Sequence, residues 1–226
     1  MKFGKIFFLL FFGIFELQLV SQEQDLPVLI KDAQTNANPM IFYISGDGGW
    51  NNYDKKLAQE FEDNHMPYIA LNSFRYFWSR KTPDELTKDV VPLIKKYLKV
   101  WQKSEIILVG YSFGAEVMPF LVNRLPADIK EKVKLITLIT PGSTSDFTIH
   151  INDMLLLDGT YDYKVVPEIN KITVPTILCF FGDDEVSIFP KTHQQKNLKT
   201  IKVKGGHVFS DSKIVMHSIL TELNSK

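Results

Sequence analysis

Glu105-Ile-Ile-Leu-Val-Gly-Tyr-Ser-Phe-Gly-Ala-Glu-Val117 joins a β-branched run to a helical one through Gly110-Tyr-Ser-Phe-Gly114. Ile106, Ile107 and Val109 have strand character, and Ala115, Met118, Phe120 and Leu121 follow at helical spacing. A G-x-S-x-G turn in this strand-turn-helix context exposes a serine hydroxyl on a sharp elbow. Gly110 and Gly114 lack a Cβ, so strand and helix can close on each other while Ser112 is held in a strained backbone. The helix start behind Ser112 offers unpaired N–H groups and a positive dipole end, which suit an oxyanion. Ser112 is therefore the candidate nucleophile. Two glycines and a serine also occur in ordinary tight turns, so the motif needs partners elsewhere in the chain.

On the N-terminal side, Met40-Ile-Phe-Tyr-Ile44 is a continuous apolar run, as expected of a strand covered on both faces, and it ends in Ser45-Gly-Asp-Gly-Gly-Trp50. A Gly-rich loop in that position can supply the second backbone N–H of an oxyanion hole, here from Gly46 or Asp47, beside that of Phe113. It is not a phosphate loop, because no Gly-Lys-Ser/Thr follows. Val28 to Lys31 reads as a weak first strand, Thr35 to Pro39 as a turn, Asp54 to Asn64 as a helix and Pro67 to Leu71 as a strand. Thr82-Pro-Asp-Glu85 carries the signals of a helix start, with Thr82 as cap, Pro83 at the first position and Glu85 closing a capping box. The stripe Leu86, Val90, Leu93, Ile94, Tyr97 and Leu98 continues that helix, with a kink expected at Pro92.

On the C-terminal side, Val133 to Thr140 is an apolar strand, Val174 to Phe181 a buried one and Thr200 to Val203 a short last one. Pro141 to Lys171 lacks long helical periodicity and reads as a small excursion over the site, its apolar residues (Phe147, Ile149, Ile151, Met154 to Leu157) forming a lid or, better, satellite core. Strands alternating with helices predict an α/β fold with a mostly parallel central sheet flanked by helices.

The partners of Ser112 come in the order acid, then histidine. The strand to Phe181 runs into Gly182-Asp-Asp-Glu185, and the strand to Val203 runs into Lys204-Gly-Gly-His207 ahead of a last helix with Ile214, Val215, Ile219 and Leu220. A histidine there takes the serine proton as general base, and the carboxylate fixes its tautomer and stabilises the imidazolium. Glu185, three residues past Gly182, is favoured as the acid, with Asp184 as the alternative. His65, His150, His193 and His217 lack that spacing and are read as surface or structural. The sequence has no His/Cys/Glu cluster of metal-site spacing and no cofactor motif, so no metal and no cofactor are expected.

With 45% hydrophobic and 23% charged residues, the 226-residue chain has the composition of one globular domain. Lys+Arg and Asp+Glu are equal at 26, so no global field favours nucleic acid or an anionic membrane. Lys2 and Lys5 precede an apolar run from Ile6 to Phe15 that is short for a membrane span of ~20 residues. Residues 1–22 are therefore expected to be a signal peptide, with an uncleaved anchor as the alternative, and residues 23–226 the single domain. The single cysteine, Cys179, sits among apolar neighbours as a buried strand residue.

Ser45 to Trp50, Trp78-Ser-Arg-Lys-Thr-Pro83, Gly110 to Val117 with Pro119-Phe120, Phe147 to Ile151 and Gly206-His207 together resemble the bacterial VirJ/AcvB virulence-protein family. The resemblance covers about Val28 to Leu223. It implies an exported α/β-hydrolase of the bacterial periplasm. Members are linked to hydrolysis of aminoacylated phosphatidylglycerol, with release of lysine from lysyl-phosphatidylglycerol, and, for VirJ, to type IV secretion of virulence substrates. By these motifs Ser112, His207 and the acid near Glu185 carry over, whereas Asp47 and Arg80 fall in matching segments without an assigned role. The expected partners are a lipid or small-molecule ester and, transiently, a membrane surface. A non-enzymatic binding or assembly protein acting with secretion-system proteins is the alternative.

Overall fold

The computed structural model describes residues 26–33, 38–150, 161–189, 195–209 and 211–225. The expected signal segment, most of the Thr35–Pro39 turn, Ile151, Met154 to Leu157 and His193 lie outside the described residues.

Apolar runs that are buried on two faces need helices on both, and the elements supply them. Strands β1 (Val28–Lys31), β2 (Met40–Ile44), β3 (Tyr68–Leu71), β4 (Ile106–Tyr111), β5 (Val133–Ile139), β8 (Ile177–Gly182) and β9 (Leu198–Val203) form one sheet in the order β1-β3-β2-β4-β5-β8-β9. Among the described strands of this sheet only β1 runs antiparallel, paired to β3 at the edge; the other pairs in the sheet are parallel. The strands sort their side chains by the two-residue period. Phe42, Leu108, Ile136 and Cys179 face one core, with α3 (Pro83–Val100) and α4 (Phe113–Arg124) packed over them. Ile41, Ile107, Leu135 and Leu178 face the other, beneath α1 (Asn52–Asp63) and α7 (Lys213–Asn224). The short helices α2 (Ser73–Tyr76), α5 (Ala127–Lys130) and α6 (Val165–Ile169), and a two-stranded ribbon of β6 (Thr144–Ser145) and β7 (Tyr163–Lys164), complete the described elements.

Local signals account for where the long helices begin. Thr82 accepts the Glu85 N–H while the Glu85 carboxylate returns to the Thr82 N–H, with Pro83 at the first position. Helix α3 then runs through Pro92 as one element. Helix α2 carries no sequence periodicity to announce it: it is one turn, capped by the Asn72 side chain on the Arg75 N–H at 3.1 Å. The same holds for α6, a five-residue helix too short to show a period.

The described part of the excursion after β5 is fastened to the core. Phe147, fully buried, meets Phe77, Phe120 and Tyr163 edge to face. Its carbonyl accepts the Lys81 N–H at 2.9 Å, and the Ile149 N–H donates to Phe77 at 3.0 Å. These described apolar residues are core, not lid.

The elbow depends on close backbone approach. A Cβ on Gly114 would sit 2.1 Å from the Ile44 carbonyl oxygen, and one on Gly110 would sit 2.4 Å from that of Gly114. Gly114→Ala is accordingly expected to force β2 and α4 apart and to cost about 3 kcal/mol or more, at the upper end for overpacking. Urea unfolding of the variant measures it; an unchanged midpoint would show that the elbow has slack.

Candidate active site

Four loops leave the carboxyl ends of β2, β4, β8 and β9, the edge of an open parallel sheet where ligands bind. Ser112 heads α4 with φ 51° and ψ −119°, a left-handed backbone that is uncommon outside glycine. Its N–H donates to Ile139 at 2.8 Å, and its carbonyl accepts from Ala115 at 2.8 Å and Glu116 at 3.1 Å. These bonds, to β5 on one side and α4 on the other, hold a conformation that costs of order 1–3 kcal/mol.

His207 Nε2 lies 2.7 Å from Ser112 Oγ, and its Nδ1 lies 2.9 Å from Glu185 Oε1. With the carboxylate ionised, Nδ1 carries the proton and donates to it, so Nε2 presents a lone pair to the serine hydroxyl. The second oxygen of Glu185 accepts the Gly182 N–H at 2.8 Å. Lys202 Nζ, which sequence reasoning did not single out, donates to the carbonyls of Gly182 at 3.0 Å and Glu185 at 2.7 Å. The turn after β8 is thereby bent back on its own strand end, with Glu185 aimed along it.

Of the two acids left open, Glu185 therefore meets the imidazole and Asp184 does not. Asp184 is exposed, and its N–H reaches toward Gly205 at 3.5 Å. Asp183 links the β8 and β9 loops: its N–H donates to Val203 and its Oδ1 accepts the Gly205 N–H, both at 2.8 Å. The side chains of His207 and Glu185 keep 46% and 21% exposure, so the site is open to solvent and to substrate.

Opposite Ser112, the Ser45–Trp50 loop comes close enough that a Cβ on Gly46 would be 3.5 Å from Ser112 Cβ. The Gly46 carbonyl accepts the Gly49 N–H at 3.0 Å, which folds the loop into a turn. The N–H of Gly46 or of Asp47 is the loop's candidate oxyanion donor, beside that of Phe113. Asp47 folds its carboxylate onto the Gly48 N–H at 2.8 Å. Arg80 is exposed beyond the loop.

Asp54 is the residue that sequence reasoning passes over as an ordinary member of α1. It is fully buried. Burial raises its carboxyl to about 6, against hydrogen bonds from Tyr43 and Asn51 that lower it. The signal that marks it is the Asn51-x-x-Asp54 capping pattern placed immediately after a Gly-rich loop. Tyr111 packs between Tyr53 at 4.4 Å and the His207 ring at 6.0 Å, centroid to centroid, and walls the imidazole on one side.

His150 is a structural pair rather than a second centre: its Nε2 meets Asp146 at 2.6 Å and its ring stacks on Tyr161. Glu116 lies against Gly142. Among the described residues no group of three or more His, Cys, Asp or Glu side chains is arranged to hold a metal. No helix among them is long and apolar enough to cross a membrane.

A serine on the elbow after β4, an acid after β8 and a histidine after β9, on a mostly parallel sheet, belong to the α/β-hydrolase fold. Solved structures share that fold at low identity. Est1E from Butyrivibrio proteoclasticus is 13% identical with a TM-score of 0.58, over 87% of this chain and 93% of its own. MenH from S. aureus is 14% identical with a TM-score of 0.59, over 88% and 98%. Naproxen esterase (carboxylesterase NP) from Bacillus subtilis is 13% identical with a TM-score of 0.57, over 86% of each. No curated protein sequence matches the chain. Within the fold, the chain belongs to the family described as bacterial virulence protein (VirJ), which it matches over residues 38–226.

Proposed function

We propose that this protein is an exported serine hydrolase that cleaves an ester, and that its substrate is an aminoacylated phosphatidylglycerol, lysyl-phosphatidylglycerol in particular. The observation that carries the reading is the continuous hydrogen-bonded line Ser112–His207–Glu185. Ser112 Oγ attacks the ester carbonyl as His207 Nε2 takes its proton, and Glu185 stabilises the imidazolium. The tetrahedral oxyanion is received by the N–H groups of Phe113 and Asp47. Collapse breaks the ester C–O bond, and His207 returns the proton to the departing glycerol oxygen. Water repeats the sequence on the acyl-serine and releases lysine.

The family supports the lipid substrate, and two features of the site are in keeping with it. Val186 and Val208 follow Glu185 and His207 and are 92% and 59% exposed, and Trp78 is 60% exposed. Such side chains suit transient contact with a membrane surface without stable anchoring. Asp47, on the loop against Ser112, brings a negative charge suited to a cationic aminoacyl head. The proposed place of action is the periplasm, reached by the signal segment at residues 1–22.

In a host that makes lysyl-phosphatidylglycerol, deletion of the gene is expected to raise that lipid in membrane extracts. A wild-type copy restores the level and a Ser112→Ala copy does not. An unchanged level, read by mass spectrometry, would remove the lipid and leave an esterase acting on another acyl compound.

A further inference from the structure

An acidic residue at the third position of a helix ordinarily closes a capping box at the surface, and needs no burial to do so. Asp54 makes that contact, accepting the Asn51 N–H at 3.2 Å through Oδ2. Yet it is fully buried, and a carboxylate taken out of water is costly unless its lone pairs are filled. The other partner has nothing to do with capping: Tyr43, on β2, donates its hydroxyl to Oδ1 at 2.5 Å. One carboxylate thus ties the strand before the Ser45–Trp50 loop to the cap residue just after it, and the loop between them is held at both ends. The peptide that follows Gly46 carries the Asp47 N–H, which takes part in none of the described hydrogen bonds.

We propose that Asp54 is a positioning residue for the oxyanion site: by tying Tyr43 before the Ser45–Trp50 loop to Asn51 after it, it sets the loop so that the Asp47 N–H faces Ser112. This rests on the serine-hydrolase reading and adds to it the group that shapes the hole. Asp54 touches no substrate, so its loss acts on the reacting oxygen and not on ground-state binding. Asp54→Asn keeps the shape but turns one acceptor oxygen into a donor that opposes one of the N–H or O–H groups around it.

The test is the second-order rate of Ser112 phosphonylation by a fluorophosphonate, whose P=O oxygen uses the same hole, together with kcat and KM on p-nitrophenyl acetate. For Asp54→Asn, kcat and the labelling rate are expected to fall about 10- to 100-fold, short of or equal to the loss of one oxyanion donor, with KM within about 3-fold. Tyr43→Phe, which removes one donor and leaves the carboxylate, is expected to show the same pattern at about 3- to 10-fold, and it stands in if the Asn variant does not fold. Asn51→Ala is the control for capping. It removes the side chain that accepts the Tyr53 and Asp54 N–H groups but leaves the Asp54 carboxylate, and it is expected to keep labelling within about 2-fold despite a weakened helix. Folded Asp54→Asn and Tyr43→Phe proteins that label at the wild-type rate would overturn the assignment, as would an equal loss in Asn51→Ala. If wild-type Ser112 does not label at all, the hydrolase reading itself falls and takes this one with it; if the wild type labels and Asp54→Asn matches it, only the role of Asp54 falls.

Discussion

Replacing Ser112 by Ala is expected to lower kcat on p-nitrophenyl acetate by about 10⁶-fold, as loss of the nucleophile does where serine, histidine and acid act as a unit. The hydroxyl is the only group removed, and no other nucleophilic side chain among the described residues is bonded to His207 Nε2. Stability should hardly move. Alanine meets the same left-handed backbone at this position, and the Ser112 side chain makes no capping bond to α4. Adding His207→Ala to the Ser112→Ala protein should cost almost nothing more, because the two residues work only together. A Ser112→Ala protein that keeps a tenth of the activity would mean that the reaction does not pass through this serine.

Glu185→Gln is expected to lower kcat by about 10⁴-fold, the loss seen when the orienting carboxylate of a serine protease is made an amide. The geometry gives the reason. Glu185 Oε1 accepts from His207 Nδ1 at 2.9 Å, and a glutamine there can turn its NH₂ to the ring and favour the tautomer whose Nε2 is already protonated. That tautomer cannot accept the Ser112 proton. Asp184→Asn, at an exposed position off the imidazole, should change kcat by no more than about 2-fold, in line with surface substitutions of ±0.5 kcal/mol. The reverse ranking in steady-state kinetics would give the role to Asp184.

Much of this is legible in the sequence because the signals are local. The elbow rests on five consecutive residues, and Thr82-Pro-Asp-Glu85 encodes its own helix start within four. The buried strands announce themselves as apolar runs, since each is covered on both faces. What escapes depends on contacts between distant segments. Whether Glu185 or Asp184 turns to the histidine is set by Lys202 and by the Gly182 N–H, which bend the turn from outside it. The Ser45–Trp50 loop can be placed near the serine from its sequence, but the Tyr43 and Asn51 bonds that hold it through Asp54 depend on the fold that buries that carboxylate. For Phe147 the sequence favours core over lid without excluding either, and its packing on Phe77, Phe120 and Tyr163 fixes it as core. One-turn helices such as Ser73–Tyr76 leave no periodicity to read.

Treating the folded protein with a fluorophosphonate and mapping the adduct by mass spectrometry shows whether Ser112 is an activated nucleophile. One adduct per chain is expected, on Ser112, formed rapidly in the native protein, slowed in Glu185→Gln and lost when the protein is unfolded before treatment. A native protein that remains unlabelled at Ser112 under conditions that label a known serine esterase would contradict it and favour a binding or assembly role on a hydrolase scaffold.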